Sequence, residues 1–177
     1  MSKAKLKIIN EELFKIGKYE LIKFTDENGE ITAVFKKCPF KSRFGNNNNL
    51  AESDVLKKLK EEILPYIENI VGTENVLEFE TDLLSLDGSR KHGLLKSKIS
   101  VPTLDFYRYN RSLFEKYKLD EWWWLATPDT TSEYYNDFWA RCVSPRGYVY
   151  VNRCGIDNFG VRPVLHFDSS IFVSSEE

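Results

Sequence analysis

Length and composition place this chain among ordinary globular proteins of one domain. Its 177 residues are 42% hydrophobic and 29% charged, which excludes a disordered or a fibrous protein. The 25 basic and 27 acidic residues give a net charge of −2, so we expect no strong non-specific binding to nucleic acid. No run of about 18 apolar residues could span a bilayer, and no apolar stretch follows the first lysines as a secretion signal requires. The sequence therefore predicts a cytoplasmic protein that does not bind a membrane.

The N-terminal region predicts a β-hairpin. Two runs rich in β-forming residues, 19–24 and 31–35, flank the dipeptide Asn28-Gly29, which is the strongest short signal for a hairpin turn. The preceding residues 8–16 contain apolar side chains without a clear period, and they are compatible with a short helix or with a short strand.

A turn-rich stretch and a long helix follow the hairpin. Residues 38–49 contain proline, glycine and four consecutive asparagines, which predicts an exposed loop. The asparagines indicate a flexible linker that ends in a helix cap, with a polar recognition loop as the alternative. Asn49 and Glu52 have the spacing of a capping pair. The apolar residues of 55–70 then recur at helical spacing, and a kink or a split is expected at Pro65.

The middle of the chain predicts two strands and a shorter helix. Residues 76–86 include alternating apolar and acidic side chains before a turn at 87–89, and residues 93–101 have the character of a further short strand. Thr103 follows a proline and precedes an aromatic run. We therefore expect Thr103 to be the N-cap of a helix from Leu104 to about residue 117.

The last third of the chain is rich in aromatic residues and in short strands. All four tryptophans lie within residues 122–139. Four runs joined by turn-rich links are predicted as strands: 122–125, 138–143, 148–152 and 161–167. The whole chain, 1–177, therefore predicts a single α+β domain, in which one long and one shorter helix pack on a mostly antiparallel sheet. Residues 1–118 hold the hairpin and the helices, and residues 119–177 form an aromatic, β-rich subregion.

Four segments of this last third have the order and spacing of a known pattern: WWLATP at 123–128, ARCV at 140–143, GYV at 147–149 and GVRPVL at 160–165. They resemble a bacterial and phage domain family of unknown function, whose members carry a WWLRSP-like block and close on a GVRPAL-like strand. Weaker similarity extends upstream over residues 49–70 and 101–103. Ala126 and Thr127 stand where the family block reads Arg-Ser, so a contact made by that arginine is absent here.

A tryptophan block, an irregular loop region and a terminal Gly-Val-Arg strand follow one another here. This arrangement is similar, at the level of the fold, to the C-type-lectin-like domains of formylglycine-generating enzymes and of the variable proteins of diversity-generating retroelements. This likeness implies a C-type-lectin-like C-terminal half, and it carries no chemistry by itself. The formylglycine enzymes use a cysteine-based copper site, which the residues of this chain do not reproduce.

The sequence contains no familiar catalytic or metal-binding motif, so we expect no catalytic residue, no metal and no cofactor. The three cysteines form no C-x-x-C pair and are predicted as buried, reduced thiols: Cys38, Cys142 and Cys154. His92, beside Arg90 and Lys91, has the setting of a general base in a small nuclease, and this alternative stays open. His166 is predicted to face solvent or to be a hydrogen-bonded residue of the core.

Two groups of residues are candidates for binding. The loop residues Tyr134, Tyr135 and Asn136, with the neighbouring Trp139, offer rigid aromatic area and adaptable hydrogen bonds, as binding loops do. A packed tyrosine corner is the alternative for this loop. Arg162 lies in an apolar strand, where a charge needs a carboxylate or backbone carbonyls, so it either locks the loop region or contacts a ligand.

These observations favour a non-enzymatic protein-binding module of phage or mobile-element origin that acts in the cytoplasm of a bacterial host. Its concrete form is an inhibitor of a bacterial defence nuclease, of the anti-CRISPR type, whose partner is a host protein such as a Cas effector or its guide-RNA complex. The alternatives are a small nuclease or RNA-processing protein that uses His92, and a ligand-binding or structural phage protein.

Overall fold

The fold consists of two β-sheets, a two-stranded ribbon and a few helices, as seen in a computed structural model that describes residues 6–131 and 137–173. The strands of these residues follow in chain order: β1 (Leu6–Ile8), β2 (Leu13–Ile16), β3 (Tyr19–Glu27), β4 (Glu30–Phe35), β5 (Phe40–Ser42), β6 (Val76–Leu77), β7 (Phe79–Asp82), β8 (Leu94–Ser97), β9 (Ile99–Ser100), β10 (Trp123–Pro128), β11 (Trp139–Val143), β12 (Val149–Arg153), β13 (Phe159–Val161) and β14 (Val164–Asp168). The helical segments are α1 (Asp54–Lys58), α2 (Leu64–Val71), α3 (Leu104–Tyr109), α4 (Arg111–Lys116) and α5 (Ser170–Val173), with a π-helical turn at Leu59–Ile63 and 3-10 turns at Leu50–Glu52 and Thr73–Asn75.

The strand order shows how the sheets are built. The larger sheet has the order β1-β2-β3-β4-β14-β6, and β9 also pairs with β14. The smaller sheet has the order β12-β11-β10-β13-β5, and β7 pairs with β8 in the ribbon. All of these pairs are antiparallel except β10 with β13, which is parallel. The predicted α+β class with mostly antiparallel strands is therefore confirmed, and the one predicted sheet is divided into two sheets and a ribbon.

Two buried clusters of apolar side chains join the sheets to the helices. The larger cluster contains Leu59 of the long helix and Trp124 of the smaller sheet, together with residues of the larger sheet. The smaller cluster packs Tyr107 and Phe114 of α3 and α4 on Trp123. Both clusters contain residues from before and after the start of β10. The residues before β10 and the residues from β10 onward therefore bury their apolar side chains against each other.

The predicted hairpin forms β3 and β4. Its turn has positive φ at Asn28 (54°) and Gly29 (76°), the backbone of the two-residue turn that matches the twist of paired strands. The ambiguous stretch before the hairpin forms β1 and β2. In β2 the buried side chains of Phe14 and Ile16 alternate with less buried ones, so the period of a strand is present but extends over only four residues.

The long helix continues through Pro65 with a change in its winding. α1, the π-helical turn and α2 follow one another without a break. In the π-helical turn the N–H of Leu64 donates to the carbonyl of Leu59, one residue further back than in an α-helix. A proline lacks the N–H group, and its ring clashes with the carbonyl four residues earlier. The wider turn just before Pro65 accommodates this clash, so the expected disturbance is found without a split.

The long helix begins at a different cap from the predicted one. The hydroxyl of Ser53 accepts a hydrogen bond from the N–H of Leu56 (2.9 Å), which makes Ser53 the N-cap. Asn49 caps the preceding 3-10 turn, where its side chain accepts from the N–H of Ala51 (3.1 Å). The predicted capping pair was therefore wrong for the long helix, because a short extra turn separates the asparagines from it.

The shorter helix begins as predicted and is divided into α3 and α4. The hydroxyl of Thr103 accepts a hydrogen bond from the N–H of Phe106 (3.0 Å), which confirms this N-cap. Asn110 leaves the helical conformation, with φ −112° and ψ 28°, and its side chain donates to the carbonyl of Phe106 (2.9 Å). An asparagine side chain that competes for backbone groups interrupts a helix in this way.

The final predicted strand is also divided, and its two parts belong to different sheets. β13 lies in the smaller sheet and β14 in the larger one, with Arg162 and Pro163 between them. Arg162 is 1% exposed. Its guanidinium donates to the carbonyls of Phe35 (2.8 Å) and Lys36 (3.3 Å) at the end of β4. A third bond reaches the carbonyl of Tyr117 after α4 (3.0 Å), so one side chain ties the junction of the sheets to two other elements.

Aromatic rings complete the surroundings of Arg162. Its guanidinium lies 5.3 Å from the ring centre of Phe114 and 5.2 Å from that of Trp123, within the range of cation–π attraction. Burial lowers the pKa of Arg162 to about 10, so the side chain stays charged at neutral pH. The charge is balanced by carbonyl dipoles and ring faces, since no carboxylate pairs with Arg162 in the described residues.

Replacing Arg162 should destabilise the fold strongly. In Arg162→Met the side chain keeps much of its length, but three carbonyl groups lose their donor, and we expect the free energy of unfolding to fall by about 3 kcal/mol or more. Urea unfolding followed by tryptophan fluorescence measures this loss. Arg146→Met, at an exposed position of the β11–β12 turn, is the control and should stay close to wild type. Equal stability of both variants would contradict the role of Arg162.

Candidate contact surfaces

The structure describes two of the five predicted binding residues, Trp139 and Arg162. Tyr134, Tyr135 and Asn136 lie outside the described residues, so their role stays a prediction. Trp139 is half-buried on β11, and Arg162 is buried at the junction of the two sheets. The contacts of Arg162 favour the locking role over ligand contact, because its guanidinium already donates to backbone carbonyls.

Asn48 is the buried centre of a clamp on the segments that flank the β10–β11 connection. It is 0% exposed. Its Nδ2 donates to the carbonyls of Thr130 (2.6 Å) and Trp139 (3.0 Å), and its backbone N–H donates to the carbonyl of Asp137 (2.7 Å). The prediction of an exposed loop over 38–49 was therefore wrong: Phe40–Ser42 form β5, and Phe44 and Asn48 are fully buried. The asparagine amide, which favours turns, here pairs with backbone groups that are distant in sequence.

His92 completes this Asn48 clamp. Its Nε2 lies 2.9 Å from Oδ1 of Asn48. Burial lowers the pKa of His92 below its usual value, and the charge of the neighbouring Lys91 lowers it further. Arg90, one of the two basic neighbours of His92 in the nuclease alternative, forms an ion pair with Asp82 (3.2 Å). These contacts give His92 and Arg90 structural partners and add no support to the nuclease alternative.

The clamp depends on an amide at position 48. In Asn48→Asp a carboxylate would face the carbonyls of Thr130 and Trp139 and would lack the donors they need, so we expect a loss of about 3 kcal/mol in the free energy of unfolding at neutral pH. The control is Asn46→Asp, in the same asparagine run. Asn46 is exposed and its Oδ1 accepts from Arg43 (3.0 Å), a role that a carboxylate also fills. If Asn48→Asp unfolds at the same urea concentration as Asn46→Asp, the clamp is not important.

The lowered pKa of His92 predicts a dependence of stability on pH. As the pH falls through about 6.5, the unfolded chain protonates His92 before the folded protein does, so the folded state loses stability between this value and the lower folded pKa. In His92→Gln this contribution is absent, and the slope of unfolding free energy against pH between 7 and 5 should be shallower. Urea titrations of both proteins at several pH values measure the slopes, and identical slopes would exclude the assignment.

A small aromatic surface lies next to the clamp. Trp139 pairs with Arg153 across β11 and β12, and the guanidinium of Arg153 lies 5.4 Å from the centre of the Trp139 ring. The adjacent Phe138 is 51% exposed, and its carbonyl accepts from the N–H of Cys154 (2.8 Å). Apolar area is therefore available beside the connection that carries the predicted binding residues.

A larger aromatic surface is formed by four residues of the smaller sheet and its links, and we call it the aromatic platform: Trp122, Tyr148, Tyr150 and Phe159. Tyr148 is 57% and Tyr150 is 47% exposed. They are two positions apart and so project from the same face. The ring centre of Trp122 lies 5.2 Å from that of Tyr150 and 5.5 Å from that of Phe159, so three of the four rings form a connected row.

The platform lies along the edge strand of the smaller sheet. β12 pairs only with β11 among the described residues, so its outer edge has unpaired backbone groups. Tyr150 is opposite Cys142, which is three positions from Trp139 on β11, so the platform and Trp139 occupy opposite faces of the sheet. The side chain of Asn152 is directed to the Sγ of Cys142 (3.2 Å). The sequence showed that this region is aromatic but did not indicate which rings are exposed.

The three cysteines are poorly suited to reaction with solutes. Cys142 and Cys154 are 0% exposed, as predicted, and Cys38 is partly exposed. Burial raises the pKa of Cys142 to about 11 and that of Cys154 to about 12. Burial and the neighbouring Glu121 also raise the pKa of Cys38. Within the described ranges no group of three or more His, Cys, Asp or Glu residues is arranged to hold a metal ion.

Comparison with known proteins finds no match, whether with a protein-family model, a curated protein or a solved structure. The resemblance to the bacterial and phage family and the likeness to C-type-lectin-like domains therefore stay predictions. Across residues 6–131 and 137–173, no helix is long and apolar enough to cross a membrane.

Proposed function

We propose that this chain is a non-enzymatic protein-binding module whose main contact surface is the aromatic platform. The observation that carries the proposal is the exposure of Tyr150 on β12 and of Tyr148 just before it, where β12 pairs with β11 alone among the described residues. Tyrosine and tryptophan are enriched in protein interfaces, where they combine apolar area with a hydrogen-bonding group. The ring contacts within the platform hold side chains in place before a partner binds, which lowers the ordering cost of association.

The distribution of charge favours a protein partner over a nucleic acid. The four platform residues carry no charge, and the chain as a whole has a net charge of −2. Binding to a nucleic acid draws much of its affinity from lysine and arginine at phosphates, and the platform does not supply these residues. Aromatic side chains on a neutral surface suit the apolar core of a protein interface.

The concrete form of the proposal is a phage or mobile-element inhibitor of a bacterial defence nuclease. The resemblance of residues 123–128 and 160–165 to a phage-associated family supports this version. A sequestering inhibitor needs only a rigid, complementary surface, and the contacts of Arg162 and Asn48 supply the rigidity. The partner would be a Cas effector or its guide-RNA complex, bound in the cytoplasm of the bacterial host.

The proposal predicts that inhibition depends on the platform tyrosines. Purified protein is titrated against a panel of purified CRISPR effector complexes, and cleavage of target DNA and complex formation are measured. We expect one effector to be inhibited by wild type, and Tyr148→Ser/Tyr150→Ser to bind it about 30-fold more weakly, since interface tyrosines are frequent hot spots. Tyr109→Ser is the matched control, because Tyr109 is 84% exposed at the end of α3 and outside the platform.

The outcomes test separately whether the platform is the contact surface and whether the partner is a defence nuclease. Inhibition that the double variant retains would show that the platform is not the contact surface. If no effector in the panel is inhibited or bound, the defence-nuclease version is wrong for those effectors. Shortened guide RNA after incubation with wild type, but not with His92→Ala, would favour the nuclease alternative instead.

A further inference from the structure

A cleft lies between the ribbon strand β7 and the start of α3, and the platform residues take no part in it. Its volume is about 580 Å³, within the range of ligand-binding clefts. The floor comes from the larger sheet and includes Thr32, Val164 and His166. One wall is β7, and the other is the first turn of α3 with Leu104 and Asp105. The cleft is therefore open to solvent, with a strand and a helix as its walls and a sheet as its floor.

The backbone of β7 leaves hydrogen-bonding groups free on the side of this cleft. The N–H of Leu83 donates to the carbonyl of Gly93 (3.1 Å), so these two residues form a hydrogen-bonded pair. The residues of β7 before Leu83 are paired one by one with those of β8 without a bulge. Because hydrogen-bonded and non-hydrogen-bonded pairs alternate in antiparallel strands, Glu80 and Asp82 direct their N–H and C=O groups away from β8. Neither residue finds another backbone partner in the described part of the chain.

The floor of the cleft combines a stacked pair of rings with aliphatic surface. The imidazole of His166 stacks on Phe79 with ring centres 3.9 Å apart and an interplanar angle of 11°. Its Nδ1 lies 2.5 Å from Oε1 of Glu30, which confirms His166 as a hydrogen-bonded residue. Val164 of the floor and Leu104 of the α3 wall add aliphatic surface. A strand added beside β7 would direct alternate side chains onto this floor.

The rim of the cleft carries three carboxylates, on Glu80, Asp82 and Asp105, together with the guanidinium of Arg108, and Glu80 is its free carboxylate. Glu80 is exposed and forms no ion pair in the described part of the chain, although Lys96 is its cross-strand neighbour. Thr81, between the two outward residues, is buried and donates to the hydroxyl of Ser100 (2.9 Å). The exposed and buried side chains of β7 therefore alternate, with carboxylates on the solvent side.

Two further carboxylates of the rim are held in exposed ion pairs. Asp82 pairs with Arg90 (3.2 Å), and Asp105 on the opposite wall pairs with Arg108 (2.6 Å). All four side chains are about half-exposed or more, and such pairs contribute little stability. A cation of a ligand therefore exchanges with these arginines at small cost.

We propose that the cleft binds an extended peptide segment that pairs with β7 as a third strand of the ribbon. The spaced N–H and C=O groups of Glu80 and Asp82 complement a peptide backbone, in the way that sheet edges recruit peptides elsewhere. Alternate residues of the peptide are apolar, facing the floor, and basic, facing the carboxylates of the rim. The site is independent of the aromatic platform and of the function proposed for it.

Three synthetic peptides test this site on the full chain. The first is fluorescein-labelled Lys-Val-Lys-Leu-Lys-Val, the second carries N-methyl groups at alternate backbone nitrogens, and the third replaces lysine by glutamate. Fluorescence anisotropy at physiological salt measures the dissociation constants. We expect the basic peptide to bind about tenfold more tightly than either relative, because N-methylation removes ladder hydrogen bonds and glutamate is repelled by the rim.

Glu80→Pro is the decisive variant. Proline at position 80 removes an N–H that faces the cleft but leaves the ladder bonds of Phe79 and Thr81 to β8 intact, so the ribbon should fold. We expect about tenfold weaker binding of the basic peptide. Glu80→Lys keeps the backbone N–H and C=O of residue 80 and reverses the charge of its side chain, and it should weaken binding of the same peptide. Glu61→Lys, an equal charge change on the long helix, and Tyr150→Ser on the platform should bind as wild type does.

Each remaining outcome overturns the proposal. Binding without saturation, or equal binding of the N-methylated peptide, would exclude strand pairing. Equal binding of the acidic peptide would exclude the charge argument. Unchanged binding by a folded Glu80→Pro variant, with its circular dichroism spectrum matching wild type, would remove β7 as the binding edge. None of these results bears on inhibition through the platform.

Discussion

The buried guanidinium of Arg162 fixes how the two sheets of this protein meet. The chain passes from the smaller sheet to the larger one at this residue: β13 ends just before Arg162, and β14 begins just after Pro163, which has no N–H for a ladder bond. Leaving a charge at such a place without partners would cost several kcal/mol. Three carbonyls from two other elements accept its hydrogen bonds, and two aromatic rings cover it. The positions of the hairpin, the shorter helices and the strands are thereby linked through one side chain.

The buried side chain of Asn48 also holds distant segments together, here beside the connection between β10 and β11. Asn48 is as buried as any residue of the core, and its amide and backbone N–H bind segments on both sides of the β10–β11 connection. Buried polar groups of this kind define geometry because each misplaced donor or acceptor is costly. The smaller sheet thus has polar restraints at two of its borders, which gives the aromatic platform a rigid support.

The aromatic residues of the last third have two different roles that their clustering in sequence conceals. Trp123 and Trp124 are almost wholly buried, on opposite faces of β10, and each belongs to a different hydrophobic cluster. Tyr150 lies on the edge strand and Tyr148 just before it, and both keep about half of their surface exposed. The platform and the peptide cleft are formed by different residues of the protein.

The sequence by itself determined the features that depend on neighbouring residues. The Asn28-Gly29 hairpin, the Thr103 cap, the helical period before Pro65 and the mostly antiparallel strands follow from local backbone preference and hydrophobic spacing. Only the tertiary structure decided that Asn48 is buried, that the last strand divides between two sheets and that β7 pairs with β8 alone among the residues that the structure describes. These outcomes depend on partners that are distant in the chain, and no local pattern of residues encodes which distant carbonyl, strand or ring will be nearby.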